Sequence, residues 1–163
     1  MAEKPGTIVT YPEDLEWEAV GPLDENGKGI FVSLLYGDLK TKGPANFLMK
    51  YSAGVRAPSH IHPGDYYAVV ASGKFRHFLQ SEDEYKDLTA GAIWFQKGNV
   101  VHRDSCVGTE DCILNIFWPH GFDVEFVNDQ NRSIYWTWIY PELNRDPNRF
   151  DQRLFPPPMK KRR

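Results

Sequence analysis

Apolar runs in this chain are short, rich in β-branched and aromatic residues, and each is cut off by a turn residue. That pattern specifies many short strands. Residues 30–36 (Ile-Phe-Val-Ser-Leu-Leu-Tyr) stop at Gly37-Asp38. Phe47, Met49 and Tyr51 alternate with Asn46, Leu48 and Lys50, as in a strand with one buried face. Residues 66–71 end at Ser72-Gly73, Lys74 to Leu79 alternates, and Ile93-Trp94-Phe95 follows Gly91. Cys112 to Trp118 runs up to Pro119, and Phe122 to Val127 and Ser133 to Tyr140 flank the turn-like residues 128–131. Helical periodicity is almost absent; only Pro12 to Glu18 suits a short turn or helix. Strands about every 8–12 residues with turns between them predict an all-β barrel or sandwich.

At 163 residues, 41% of them hydrophobic, the chain suits one domain with a real core. The reading divides it into an N-terminal segment (1–28), a barrel (29–140) and an extended C-terminal arm (141–163). The arm carries Pro141, Pro147 and Pro156-Pro157-Pro158, which cannot donate to a sheet ladder. Its Phe150, Leu154 and Phe155 suit packing on the barrel wall or on a second subunit. A net charge of −3 offers nucleic acid no general attraction, and the basic run Lys160 to Arg163 reads as a solvated tail. No apolar run approaches the ~20 residues a membrane span needs, and the first residues lack a secretory pattern, so a cytoplasmic protein is expected. In that reducing compartment Cys106 and Cys112, although able to face each other across a hairpin, are expected as thiols.

The chemistry lies in the histidines. His60 and His62 are two apart, so on a strand both imidazoles point to one side and can share one metal ion. His102, a turn and a strand further on, is the best candidate for a third ligand. Glycines frame both stretches. The first reads Gly54, five residues, His60-Ile61-His62, with Tyr66 following and Gly73 closing it; the second reads Gly91, five residues, Lys97-Gly98-Asn99, His102 and Cys106.

This arrangement resembles the two motifs of the cupin family over residues 54–106, with looser likeness from about Tyr36 to Val127. The resemblance implies a single jelly-roll β-barrel holding a divalent metal. Four positions depart from the family pattern: Tyr66 stands for the usual glutamate, Lys97 for proline, Asn99 for glycine and Cys106 for asparagine. Asn tolerates the left-handed backbone that the glycine position requires, and Gly98 is available to share the turn. A phenol is a poor ligand near neutral pH, so Tyr66 is expected to stand beside a three-histidine ion with up to three open positions.

The pattern is similar to that of the three-histidine iron cupins, the acetylacetone-cleaving diketone dioxygenases among them. That likeness implies an Fe(II) dioxygenase, an oxidoreductase cleaving a carbon–carbon bond in a small enolisable or phenolic substrate with dioxygen. Zinc, nickel or manganese are the other ions considered, with a zinc or nickel cyclase, isomerase or hydrolase and a non-enzymatic metal sensor as alternatives. Tyr66 and Gln96 are the candidate catalytic residues, Gln96 sharing the parity of His102. Arg56, His77, Met49, Phe47 and Asp65 are candidate substrate contacts, with Asp65 also weighed as a substitute ligand. Each has a plainer role: surface placement for Arg56 and Arg103, a satisfied buried histidine for His77, barrel filling for Met49 and Phe47. Trp94, Phe117 and Trp118 are expected in the core, and His120 in an exposed turn. Sheet edges need covering, which together with the arm points to a homodimer.

Overall fold

The structure, a computed structural model, describes residues 6–39, 41–78 and 87–127. Their strands are β1 (Glu18–Ala19), β2 (Ile30–Tyr36), β3 (Ala45–Tyr51), β4 (His60–Ile61), β5 (Tyr66–Ser72) and β6 (Phe75–Phe78). They continue with β7 (Asp87–Leu88), β8 (Ile93–Gln96), β9 (Arg103–Cys106), β10 (Cys112–Trp118) and β11 (Glu125–Phe126). The only helical element among the described residues is a short 3-10 turn at Pro12–Asp14. The expected hairpin at 128–131, the strand at 133–140 and the proline-rich arm lie outside the described residues.

Alternation builds the layers. In β3 the side chains of Ala45, Phe47, Met49 and Tyr51 are buried and those between them only partly so. In β10 the buried row is Cys112, Leu114, Ile116 and Trp118, and in β5 it is Tyr66, Ala68 and Val70. Antiparallel register sets these rows side by side: Leu114 lies opposite Met49 and Val70, and Ile116 opposite Phe47 and Ala68. The resulting six-stranded sheet has the order β1-β2-β3-β10-β5-β8. A three-stranded sheet, β7-β6-β9, and the β11-β4 pair complete the jelly-roll. Tyr51 of the large sheet meets Phe75 of the small one edge-on, with ring centroids 5.1 Å apart. Each large apolar side chain so enclosed stabilises the fold by about 2 kcal/mol.

Two expectations change at this level. Phe117 shares a strand with Trp118 but has the opposite parity, and it is exposed on the outer face rather than in the core. Cys106 and Cys112 are not thiols but a disulfide, with Cα atoms 5.6 Å apart. Cys106 closes β9 and Cys112 opens β10, and both side chains point inward, so the short connection delivers them to the same place.

The framing glycines have different reasons to be glycine. Asn99 does adopt the left-handed region, with φ 61°. Gly98 does not; a Cβ there would stand 2.5 Å from the carbonyl oxygen of Pro63. Gly73 meets both constraints, with φ +83° and a Cβ that would lie 2.7 Å from the Asp111 carbonyl oxygen and 2.8 Å from the Cys112 Cα. We therefore expect Gly73→Ala to destabilise the protein by about 2 kcal/mol or more, read as a lower urea midpoint at unchanged slope.

Candidate metal centre

β4 is joined to the residue just before β9 by one pair of backbone hydrogen bonds. The N–H of His60 donates to the carbonyl of His102 at 2.9 Å, and the N–H of His102 donates back at 3.0 Å. Residues so paired carry their side chains on the same face. The rings of His60 and His102 accordingly lie 4.2 Å apart, and His62 stands 5.0 Å from the first and 5.1 Å from the second. One nitrogen from each of the three falls within 4.8 Å of the others. All three side chains are buried.

Their other nitrogens are committed. The Nδ1–H of His60 donates to the Pro58 carbonyl at 2.7 Å, that of His102 to the Val100 carbonyl at 2.9 Å, and that of His62 to the Asp123 carbonyl. A carbonyl only accepts, so each ring donates from Nδ1, which leaves Nε2 as the nitrogen available to an ion. Burial, reinforced by the neighbouring rings, pushes His62 well below the ordinary histidine range, and His102 down to about 4. Three imidazoles with converging nitrogens, two of them kept neutral by burial, fit a divalent cation and can hold one.

Tyr66, the first residue of β5, is buried and stacks on Trp118 with centroids 4.5 Å apart. Its hydroxyl lies 3.4 Å from Nε2 of His102. That nitrogen has no proton to give, so the phenol donates. Burial, with help from the charge of Asp104, raises the Tyr66 hydroxyl well above its usual value and keeps it protonated.

Asp104, which sequence reading passed over, stands among these groups. Its side chain is buried, its Oδ1 accepts from Nδ1 of His77 at 2.7 Å, and its Oδ2 lies 3.5 Å from Nε2 of His60. Burial would push this carboxyl up; the charge of His77 and bonds from His60 and His77 outweigh it and hold Asp104 well below the carboxylate range. Gln96 donates through Nε2 to the Lys97 carbonyl at 2.9 Å, which turns its Oε1 toward Nε2 of His77 at 2.8 Å. With an acceptor at each nitrogen, His77 donates from both and carries a positive charge. Burial opposes that charge, and the pull of Asp104 and Gln96 raises the His77 pKa in spite of it.

A cavity of about 100 Å³ opens beside the cluster. His60, His62, Tyr66 and Asp104 share its wall with apolar side chains that include Met49, Leu114, Ile116, Trp118 and Phe122. Of the candidate substrate contacts, Met49 lines it, and Arg56, expected at the surface, is exposed and also part of its lining. Phe47, Asp65 and His77 do not. Phe47 fills the barrel between Trp118 and Phe122, each with its centroid 5.8 Å away. Asp65 is exposed and accepts from the Gly98 N–H at 2.7 Å, as its outward parity requires. His77 is spent on Asp104 and Gln96. Gln96 itself is buried; its side chain bonds His77, and its backbone lies opposite Tyr66 in the β5–β8 ladder. Trp94 and Trp118 belong to the cavity wall as well as the core.

The family model for the domain of unknown function DUF4437 matches residues 8–110. The chain belongs to the DUF4437 family. No curated protein matches this DUF4437 chain in sequence. In three dimensions it is similar to an RmlC-like cupin protein from Ralstonia eutropha JMP134, 20% identical, over 85% of this chain and 86% of the other, with a TM-score of 0.58. KdgF from a Halomonas species is 19% identical over 68% of this chain and 91% of its own, with a TM-score of 0.53. The DMSP lyase DddQ from Ruegeria pomeroyi DSS-3 is 14% identical over 64% and 56%, with a TM-score of 0.52. At such identities the likeness is one of fold, and the fold is that of a cupin. Among the described residues no helix of the DUF4437 chain is long and apolar enough to cross a membrane.

Two outcomes follow for the DUF4437 protein. His62→Ala should lose most of its bound metal by elemental analysis, while the parent retains close to one equivalent. The metal-free protein should be most stable near pH 6.5. The pKa of His102 and His62 is depressed by folding, so the unfolded chain takes up protons that the folded one refuses as pH falls from about 6.5 to about 4. Stability then drops, on the order of a few kcal/mol. The raised pKa of His77 works in the other direction: its contribution is complete below about 6.5 and fades as pH rises through its folded value. Denaturant titrations across this range check both limbs.

Proposed function

We propose that this protein is a metal-dependent cupin enzyme for a small, largely apolar substrate that carries chelating oxygens. We further propose Fe(II) as its metal and dioxygen-dependent carbon–carbon bond cleavage of an enolisable or phenolic compound as its reaction. The observation that carries this reading is the convergence of three imidazole nitrogens beside an apolar cavity of about 100 Å³. When bound, the cation supplies a Lewis acid with open positions for substrate oxygens and, if it is iron, a redox partner for dioxygen.

The chain's own residues supply the rest. His60, His62 and His102 hold the ion, their orientation set by three backbone carbonyls. Met49, Leu114, Ile116 and Phe122 exclude water, which strengthens every charge interaction within the cavity. Tyr66 stays protonated and donates a hydrogen bond, first to His102 and then, once that lone pair is engaged, to an oxygen of the substrate. Arg56 on the lining favours an anionic or enolate form of the ligand at the entrance.

A redox-neutral reaction at zinc or nickel is the second reading. It is favoured by Tyr66, a proton-bearing hydroxyl beside the ligand cluster that needs no oxidant, and a DMSP lyase is among the proteins of similar fold. Metal analysis of anaerobically purified protein, with oxygen-electrode traces on small β-diketones and dihydroxy-aromatics, separates the two. Stoichiometric iron with substrate-dependent oxygen uptake supports the dioxygenase. Tightly held zinc or nickel without oxygen consumption overturns it in favour of redox-neutral chemistry.

A further inference from the structure

The outer edge of β2 is covered over part of its length. β1 pairs with Phe31 and Val32, and among the described residues no strand pairs with that edge from Ser33 to Tyr36. Leu34, Leu35 and Tyr36 follow one another there, 47%, 47% and 64% exposed. Successive exposed apolar residues of this kind are a liability unless something covers them. A groove lies beside them, bounded by this strand and by the stretch from Thr10 to Glu18. Leu34 and Leu35 enter its lining from β2, and Leu15 and Trp17 from the other stretch. Every charged residue of the lining is acidic: Asp14, Glu16, Glu18 and Asp38. Lys50 holds its ammonium over the rings of Trp17 and Phe31, 4.6 and 4.8 Å from their centroids, and is not part of the lining.

An apolar floor with an acidic rim suits an extended, cationic and partly apolar occupant. The chain itself carries one: Leu154-Phe155-Pro156-Pro157-Pro158-Met159 runs directly into Lys160-Lys161-Arg162-Arg163. We propose that residues 154–163 dock in this groove of their own chain, apolar residues on the floor and cations along the acidic rim. The charges match in number, four cations against four carboxylates. A run of prolines favours the polyproline II form, which loses little entropy on binding and suits a groove that presents an aromatic ring, here Trp17. Prolines also lack the N–H that joining the β2 edge as a strand would need. The tether is long enough. Residues 128–153 separate the segment from Val127, and 26 residues span about 80 Å at roughly 3.1 Å each. A domain of about 110 residues has a radius of gyration of about 13 Å, hence a breadth of roughly 35 Å. Tethering sets an effective concentration on the order of millimolar, so exposed ion pairs that are weak one by one suffice together.

The test is zero-length carbodiimide cross-linking of the full chain, in an equal mixture of nitrogen-15-labelled and unlabelled protein, read by mass spectrometry. Lys160 and Lys161 should couple to Asp14, Glu16 or Glu18, with both ends of each cross-link of one isotope. In a Glu16→Lys, Glu18→Lys double variant the remaining coupling to Asp14 should fall at least about fivefold. Leu35→Ser, which leaves every carboxylate in place, should lower the coupling to all three. Glu16, Glu18 and Leu35 are exposed, so folding should tolerate these changes; should the double variant not fold, the parent and Leu35→Ser decide. Cross-links between labelled and unlabelled chains assign the groove to the tail of a second copy and overturn docking within one chain. Coupling spread over carboxylates outside the groove, or a yield unmoved by Leu35→Ser, overturns the groove as the docking surface. Absence of any such coupling overturns the proposal and leaves the groove to a separate cationic partner.

Discussion

The site depends on the reciprocal backbone hydrogen bonds between His60 and His102. They bring together two stretches of chain about forty residues apart and fix on which face the imidazoles project. A slip of one residue in this pairing would turn both rings to the opposite side, because side chains alternate strictly along a strand. The bridge is therefore what turns two motifs into one cluster. The carbonyls of Pro58, Val100 and Asp123 then settle the tautomers without any acidic side chain. Satisfying three buried imidazoles with backbone acceptors offsets their desolvation and leaves Asp104 to pair with His77.

Trp118 supports this arrangement from the large sheet. It lies against His62 at 4.6 Å, Tyr66 at 4.5 Å, Phe122 at 5.0 Å and Phe47 at 5.8 Å. Its strand is central, bonded to β3 on one side and β5 on the other, so the indole has little freedom to move. Packed interiors transmit small displacements rather than absorbing them. Core and site are thus the same set of residues here: the aromatic contacts that stabilise the barrel also position His62 and Tyr66.

Much of this was legible in the chain, and the exceptions have physical causes. β2, β3, β5 and β10 follow from alternation, the common face of His60 and His62 from parity, and the joining of His102 to them from the resemblance to the cupin motifs. Glycine framing located the turns, although Gly98 turned out to be needed for its lack of a Cβ and not for its backbone angle. β9 went unread because Arg-Asp-Ser-Cys has no apolar alternation; its inward face is polar, and Asp104 was hidden with it. The same two-residue spacing that exposed His60 and His62 relates His102 to Asp104, so extending the strand past His102 would have revealed it. The disulfide was missed because a compartment argument was set against a geometric one. Phe47 and Met49 share a parity, yet only Met49 reaches the cavity; depth along a strand is decided by neighbours across the sheet.

The charge arrangement narrows what such a cavity can accept. Tyr66 remains neutral, the rings of His62 and His102 are neutral, and the negative charge of Asp104 is balanced by the positive charge of His77. A cation entering this cluster would add positive charge beside a largely apolar lining, with Arg56 at the entrance. In a low-dielectric enclosure such a charge favours a ligand that becomes anionic where it meets the ion and stays hydrocarbon elsewhere. A sugar, with hydroxyls on every side, would leave most of them without partners against Met49, Leu114 and Ile116. The enolisable or phenolic molecule proposed above concentrates its polarity at one end, and the lining offers both kinds of contact: imidazoles, a phenol and a carboxylate, together with aliphatic and aromatic carbon.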